Sequence, residues 1–376
     1  MRDRFLDKFK RITYSTAYLP EIDGLRFLAI FMVVVIMHSS HYIDEKYYGG
    51  TLAGHGYWSR FIMEGGSGVP LFFIISGFIL SLPFAKWRLK GAKEVNLGKY
   101  FLRRVTRLEP PYLIALVIYF LAHLFVVRQY ELSTLLPHFL ASVFYSHTII
   151  YHSFPLVLPV AWSLEVEVQF YILAPLFCLL FILKNTLARR IIFLVIIIAS
   201  ALYWFDVWKV SHVFMYLHYF FSGILLADLH AERKALLGQK AGAIAGLLSL
   251  AGFLFLPSIG FLPGYLLKIC CMFFLVHTVL TNALMKRLFS VPILVVIGGM
   301  CYSIYLLHFA IISFAGQLLP RTGLDVQNHL FFIPIMLFFS AAVLIVSSIY
   351  FLLVEKPFMM PRGLGQKKKL PVPDTH

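Results

Sequence analysis

Several titratable or strongly polar side chains stand inside stretches that are otherwise apolar. An ionised side chain at the bilayer centre costs about 2.5–3.5 kcal/mol on insertion scales, so each is a candidate for function. Arg26 opens an apolar run and His38 closes it, twelve residues on. In a helix that is roughly 18 Å of rise, more than half the bilayer core. Arg26 then stands near one membrane face and His38 in the middle-to-outer part. The plainer readings are a snorkelling anchor for Arg26 and an interhelical hydrogen bond for His38. Glu165, Glu167 and Gln169 lie in AWSLEVEVQFY, at the outer start of a helix beside Trp162. Residues two apart point to different helix faces, so at most one of the glutamates faces a shared cavity. His308, in CYSIYLLHFAI, is expected near the level of His38. Two histidines and a glutamate at one level suggest a proton-handling group.

The segment KYFLRRVTRLEPPYL has a different character. Arg103, Arg104 and Arg107 sit on neighbouring turns just before a Pro-Pro pair expected to open a helix. They read either as a cytoplasmic anchor or as a phosphate clamp, because guanidinium forks match phosphate oxygens. Ser76 and Gly77, in LFFIISGFIL, permit close helix packing or close approach of a substrate. His38 and His41 have metal-ligand spacing but lack a convincing third ligand.

The elements that must position these residues follow from composition. Of 376 residues, 60% are hydrophobic and 14% are Asp, Glu, Lys or Arg. A soluble domain is roughly 45–50% apolar and about 25% charged. Apolar runs such as 27–37, 113–127 and 191–203 suit spanning helices of about 20 residues. The expected fold is all-α, a polytopic membrane protein with ten spans. They fall at 25–43, 67–84, 110–127, 164–183, 190–206, 213–229, 241–257, 264–282, 293–315 and 330–353. This excludes a soluble enzyme and a disordered chain; continuous rather than alternating apolar runs speak against a barrel.

The net charge of +15 reads as membrane orientation rather than as affinity for nucleic acid. With both termini cytoplasmic, 26 Lys and Arg fall inside and 5 outside. Making 134–150 a further span would turn Lys184, Arg189 and Arg190 outward. It is therefore expected as a surface or re-entrant segment on the outer side. Three parts result: a cytoplasmic segment 1–24, a transmembrane domain 25–353 and a basic cytoplasmic tail 354–376, whose lysine run touches anionic lipid. The first 24 residues are too long and polar for a cleaved signal. The four cysteines lie in apolar runs and form no disulfide or zinc spacing. No internal repeat is visible.

IDGLRFLAIFMVVVIMH, FFIISGF, FLRRVTRLEPPY, WSLEVEVQFY, YSIYLLHF and VEKPF follow one another along nearly the whole chain. Their order and spacing resemble the acyltransferase-3 family of integral membrane O-acyltransferases. The resemblance implies ten spans in a bacterial inner membrane. It implies transfer of an acyl group, most often acetyl, from cytoplasmic acyl-CoA to a hydroxyl of an envelope or lipid-linked glycan. Acetyl-CoA is the expected donor, another short acyl-CoA the alternative, and no metal is needed. The expected partners are the sugar acceptor and membrane lipids, not nucleic acid, and self-association is left open. With no hydrolase-like domain in this sequence, members that use one for a second transfer are the poorer match.

Position by position, Arg26 and His38 match the family's Arg–His pair. Arg103, Arg104 and Arg107 match its basic cytoplasmic motif. Trp162, Ser163 and Glu167 match its Trp-Ser-Leu-x-x-Glu motif, and Tyr305 and His308 its late Tyr-x-x-His phrase. The resemblance makes His38 the base or nucleophile, in a catalytic group with Glu167, Arg26 and His308; Glu167 would orient an imidazole or the acceptor. Arg103, Arg104 and Arg107 would hold the donor's phosphates, and Ser76 and Tyr305 would complete the donor pocket. One departure stands out. The family usually has ten residues between the Arg and the His, and this chain has eleven. At about 100° per residue that places the two side chains about 120° apart around a helix. Either a π-bulge absorbs the extra residue, or the two serve different parts of the site. Two rivals read the same residues otherwise. A transporter or flippase would use them as a proton relay and calls for repeats; a non-catalytic scaffold needs no ordered polar constellation. The charge split carries a test of orientation: a cysteine replacing Arg189 should be shielded from an impermeant thiol reagent in intact cells.

Overall fold

Residues 7–12, 18–50, 62, 64–207, 212–257, 261–323, 326 and 329–359 are described by a computed structural model. All regular structure among them is helical. The first apolar run builds a 28-residue helix, α1 (Pro20–Tyr47), whose proline sits at a start position that needs no N–H donor. Two apolar stripes run along it. Ile22, Leu25, Ala29, Met32 and Ile36 enter one buried core, while Ile30, Val34, Ile43 and Tyr47 enter another. Helix α1 is thus a spine wedged between two packed halves.

Its middle is not α-helical. Met32–Ser39 is a π-helix, whose longer i→i+5 bonds turn the chain less per residue. Seven residues of reduced turn bring His38 back to roughly the side of the helix that carries Arg26. The widened segment is supported by side chains. Ser39 Oγ donates to Val34 O at 2.8 Å and Ser40 Oγ to Val35 O at 3.3 Å, both five residues back. Gly65 packs directly on this backbone: a Cβ there would lie 2.6 Å from Met37 N and 2.7 Å from Met32 O.

Gly65 opens α2 (Gly65–Lys90), followed by α3 (Leu97–Val127), α4 (Leu132–Val143), α5 (His147–Tyr151) and α6 (Pro159–Ile182). Then come α7 (Thr186–Asp206), α8 (Val213–Ala231), α9 (Gln239–Phe255) and α10 (Leu262–Thr281). The last are α11 (Ala283–Phe289), α12 (Pro292–Gly299), α13 (Cys301–Thr322) and α14 (Phe332–Phe358). Helices α2 and α8 meet backbone to backbone, because Gly77 faces Phe220 O and Gly223 faces Ile74 O with no room for a Cβ. Close packing is therefore what Gly77 does. On the outside, Leu194, Val195 and Ile198 of α7 and Leu337, Ile345 and Ile349 of α14 are exposed. So large an apolar surface suits lipid rather than water. The chain is an integral membrane protein, with nine helices among the described residues long and apolar enough to cross.

Three expected spans differ in detail. The span expected at 241–257 is the 17-residue α9, about 26 Å long and a few ångströms short of the hydrocarbon core; it packs along α10. The span expected at 293–315 is two helices broken at Met300. The break follows Gly298 and Gly299, and Gly298 abuts the Asp23 carbonyl of α1 so closely that no side chain fits. The span expected to open at Pro110 begins at Leu97, capped by Asn96, and its Pro110 and Pro111 lie inside the helix. Tyrosine hydroxyls serve carbonyls beside this interruption: Tyr302 donates to Leu108 O at 2.8 Å and Tyr350 to Pro111 O at 2.5 Å. Residues 134–150 form α4 and α5, joined where Tyr145 takes φ 53°. Twelve residues, about 18 Å, are too few for α4 to span.

Arg189 is only 1% exposed, held by Asp228 at 2.5 Å and Glu232 at 3.2 Å. Burial would shield it on either side, so the labelling reporter belongs at the exposed Lys184. The α2–α8 contact gives a second test. Gly77→Val should destabilise the protein by at least about 1–3 kcal/mol through overpacking. Gly238→Ala, with nothing within 4 Å of its Cβ, should leave the thermal midpoint in detergent unchanged. Equal melts would mean the helices are free to move apart.

Candidate active site

The π segment of α1 carries His38 to α13, where it meets His308. The rings stack with centroids 4.8 Å apart, and His38 Nδ1 lies 2.7 Å from His308 Nε2. His308 Nδ1 lies 2.8 Å from Tyr305 O and 3.1 Å from Ile304 O. Carbonyls only accept, so the hydrogen-bond network assigns the proton of a neutral His308 to Nδ1 and leaves a lone pair on Nε2. His38 must then donate through Nδ1. Its own lone pair falls on Nε2, which has no hydrogen-bond partner among the described residues. His308 is buried, whereas His38 is half-buried. The pair therefore holds one imidazole rigidly and presents the basic nitrogen of the other. His308 is the eighth residue of α13, nearer mid-helix than an unbroken 293–315 helix implied.

One turn before His308, the Tyr305 hydroxyl donates to Val160 O and lies 3.1 Å from Ser163 Oγ. This ties α13 to the start of α6. One turn further along α6, Glu167 Oε1 accepts the hydroxyls of Ser76 and Tyr171. Glu167 makes no hydrogen bond to either histidine; of its two expected roles, orienting an imidazole or the acceptor, the first has no counterpart here, since the ring bonded to His38 is that of His308. Glu167 lies a turn beyond Ser163 along α6, and His308 a turn beyond Tyr305 along α13, both past the contact that joins Ser163 to Tyr305. Arg26 and Arg104 are the cations within electrostatic reach of Glu167, and the Arg104 guanidinium lies 5.7 Å from the Tyr171 ring centre.

Glu165, two residues before Glu167, points elsewhere and is fully buried; its Oε2 accepts the Thr148 N–H at 2.8 Å, capping the start of α5. The two glutamates point to different sides of α6, as their angular offset requires, and Glu167 alone joins Ser76 and Tyr171.

At the Pro20 end, Arg26 Nη1 is 2.7 Å from Asp23 Oδ1. The three arginines of α3 separate. Arg104 and Arg107 turn inward and are half-buried, whereas Arg103 is exposed and away from the group. Arg107 Nε is buried without a hydrogen-bond partner. Arg26, Ser76, Arg104, Arg107, Glu167, Tyr305 and His38 are thus all half-buried, a set of polar groups running between helices from the Pro20 end to mid-bundle. His41 pairs instead with Glu45 at 3.1 Å. Among the described residues, no three His, Cys, Asp or Glu side chains gather as a metal site would.

Asp23, Tyr171, Ser303 and Glu355 belong to this constellation and were not singled out from sequence. Asp23 stands three residues before Arg26, and Tyr171 four after Glu167, both spacings at which helical side chains meet. Glu355 accepts from the Ser303 N–H at 3.1 Å and hydroxyl at 2.5 Å; nothing in the spacing joins residues so far apart.

A family model described as an acyltransferase domain, that of acyltransferase-3, matches residues 19–353. The chain belongs to the acyltransferase-3 family. It is similar to the O-acetyltransferase OatA of Staphylococcus aureus strains NCTC 8325 / PS 47, COL and MRSA252. Identity is 26% over 344 residues, covering 82% of this chain and 53% of each relative. The chain spans about half the length of those curated relatives. No solved structure matches it.

For this acyltransferase-3 chain, the histidine pair predicts a graded series. His308→Leu removes the acceptor that fixes the His38 tautomer and should lose much of the roughly 10²–10⁴-fold that a positioned base supplies. His308→Gln, whose amide oxygen can still accept from His38 Nδ1, should retain more acyl transfer. Equal loss in both would show that His308 itself handles a proton.

Proposed function

We propose that this protein is a membrane O-acyltransferase, moving acetyl from cytoplasmic acetyl-CoA to a hydroxyl of an envelope or lipid-linked glycan. It works in the bacterial inner membrane, with α9 as a tenth crossing and both termini cytoplasmic. Membership of the family and likeness to proteins named O-acetyltransferase support the reaction class. The observation that carries the mechanism is the half-buried His38 whose Nε2 is left free by the bond to His308.

The acceptor hydroxyl approaches His38 Nε2. As its oxygen attacks the thioester carbonyl, its proton passes to that nitrogen. Collapse of the tetrahedral intermediate expels the CoA thiolate, which takes the proton back from the His38 imidazolium. The new ester and free CoA leave, and His38 is neutral again. His308 holds the ring in line throughout. Arg104 and Arg107 face the donor's phosphates, where each charge-assisted contact contributes about 1.5–3 kcal/mol. Glu167 balances Arg26 and Arg104 along the path and holds Ser76 and Tyr171 in place. Acyl-CoA enters as a substrate, and its anionic end suits a region where Arg107 Nε lacks a partner.

The decisive variant is His38→Asn, which keeps polarity but cannot accept a proton at neutral pH. It should fold, insert and bind acetyl-CoA, yet lose about 10²–10⁴-fold in transfer, read as acetyl mass on envelope glycans. Near-normal acetylation would make His38 structural and sink this mechanism. Loss of acetyl-CoA binding together with activity would move His38 to the donor pocket.

A further inference from the structure

At the Pro20 end of α1 two arginines share one carboxylate. Asp23 is fully buried. Its Oδ1 takes Arg26 Nη1 at 2.7 Å and its Oδ2 takes the Tyr18 hydroxyl at 2.8 Å; Arg11 Nε stands 2.8 Å from Oδ2 as an ion pair, out of line for a hydrogen bond. Arg11 comes from the segment ahead of the first span. Its guanidinium carbon lies 5.4 Å from the Tyr18 ring centre, its stem packs on Gly299, and its side chain is 12% exposed. Its Nε is buried without a hydrogen-bond partner. Arg107 reaches the same place from α3, within electrostatic range of Arg11, with its Nε buried and unpartnered. The anions to hand are Asp23, already shared, and Glu355, one of whose oxygens serves Ser303.

Three guanidinium groups thus face two carboxylates, with donors left over. A buried cation without a partner is costly, and guanidinium forks with spare N–H groups match phosphate oxygens. Burial, then the charge of Arg26, draws Arg11 down to about 10, so it stays charged at neutral pH. Arg11 also lies outside residues 19–353, the part that matches the family.

We infer that Arg11, with Arg107, forms a phosphate-binding site for the acyl donor, so that a residue ahead of the membrane domain completes the donor pocket. This rests on the donor reading above. The shared chemistry is a phosphate ester, and both a nucleotide-bearing thioester and an anionic lipid headgroup carry one.

The test uses the full chain in phosphatidylcholine nanodiscs, with affinity measured for CoA and for S-acetylpantetheine, which has the acyl arm but no phosphate. Arg11→Gln should weaken CoA binding about tenfold, equivalent to about 1.4 kcal/mol, and leave S-acetylpantetheine unchanged. Arg11→Lys keeps the charge but not the fork and should fall between. If Arg11→Gln fails the thermal check for folding, Arg11→Lys carries the comparison alone. Unchanged CoA affinity overturns the inference. So does an equal loss for both probes, which would mean Arg11 acts only by holding Asp23. If Arg11→Gln alters only the response to added phosphatidylglycerol, the ligand is a headgroup and the donor assignment falls. A wild type that binds no CoA would instead overturn the donor reading itself, a distinct result.

Discussion

Twelve residues separate Arg26 from His38, and an unbroken α-helix would turn their side chains about 120° apart. The π segment Met32–Ser39 removes that offset, and much of the bundle is arranged to keep it. A widened turn weakens the local ladder, so Ser39 and Ser40 lend hydroxyls to the carbonyls five residues back. Gly65 lays the start of α2 against the segment, and α1's two apolar stripes lock it between separate cores. With the register so held, His38 meets His308 while Arg26 stays with Asp23. The same helix then serves both ends of one polar path.

Polar groups inside this membrane protein are satisfied by a few specific partners, and each pairing decides a role. Glu165 and Glu167 have the same chemistry and differ by 200° around α6. One caps α5 and is spent on structure; the other gathers two hydroxyls and faces two arginines. Arg189 and Arg190 are engaged by Asp228 and Glu232, so the start of α7 is tied to the end of α8. Arg107 is the contrast, an inward guanidinium with a nitrogen unmet. In a low-dielectric interior an ion pair with its hydrogen bonds made holds the fold, whereas an unmet guanidinium nitrogen is costly.

The class of fold was legible in composition, because apolar content this high can only face lipid or pack against its like. The inward turn of Arg104 and Arg107 and the outward one of Arg103 was not legible, since all three are helical neighbours of one type. The helix break at Met300 was hidden for a different reason. Residues 293–315 hold no proline and no Asp, Glu, Lys or Arg, and hydropathy does not register the backbone approach of Gly298 to Asp23.

Sequence alone determined that the chain spans a membrane, which loops carry its positive charge, and that Arg26, His38, Glu167 and His308 are costly residues in apolar runs. Period and composition are local properties, and they suffice for those conclusions. Tertiary structure decided that His308 rather than Glu167 partners His38, that a π segment reconciles the register, and that Arg11 joins the arginines of the membrane domain. His38 and His308 are 270 residues apart. A hydrogen bond at 2.7 Å across that separation depends on how α1 and α13 pack, and no short-range pattern in the chain encodes that distance.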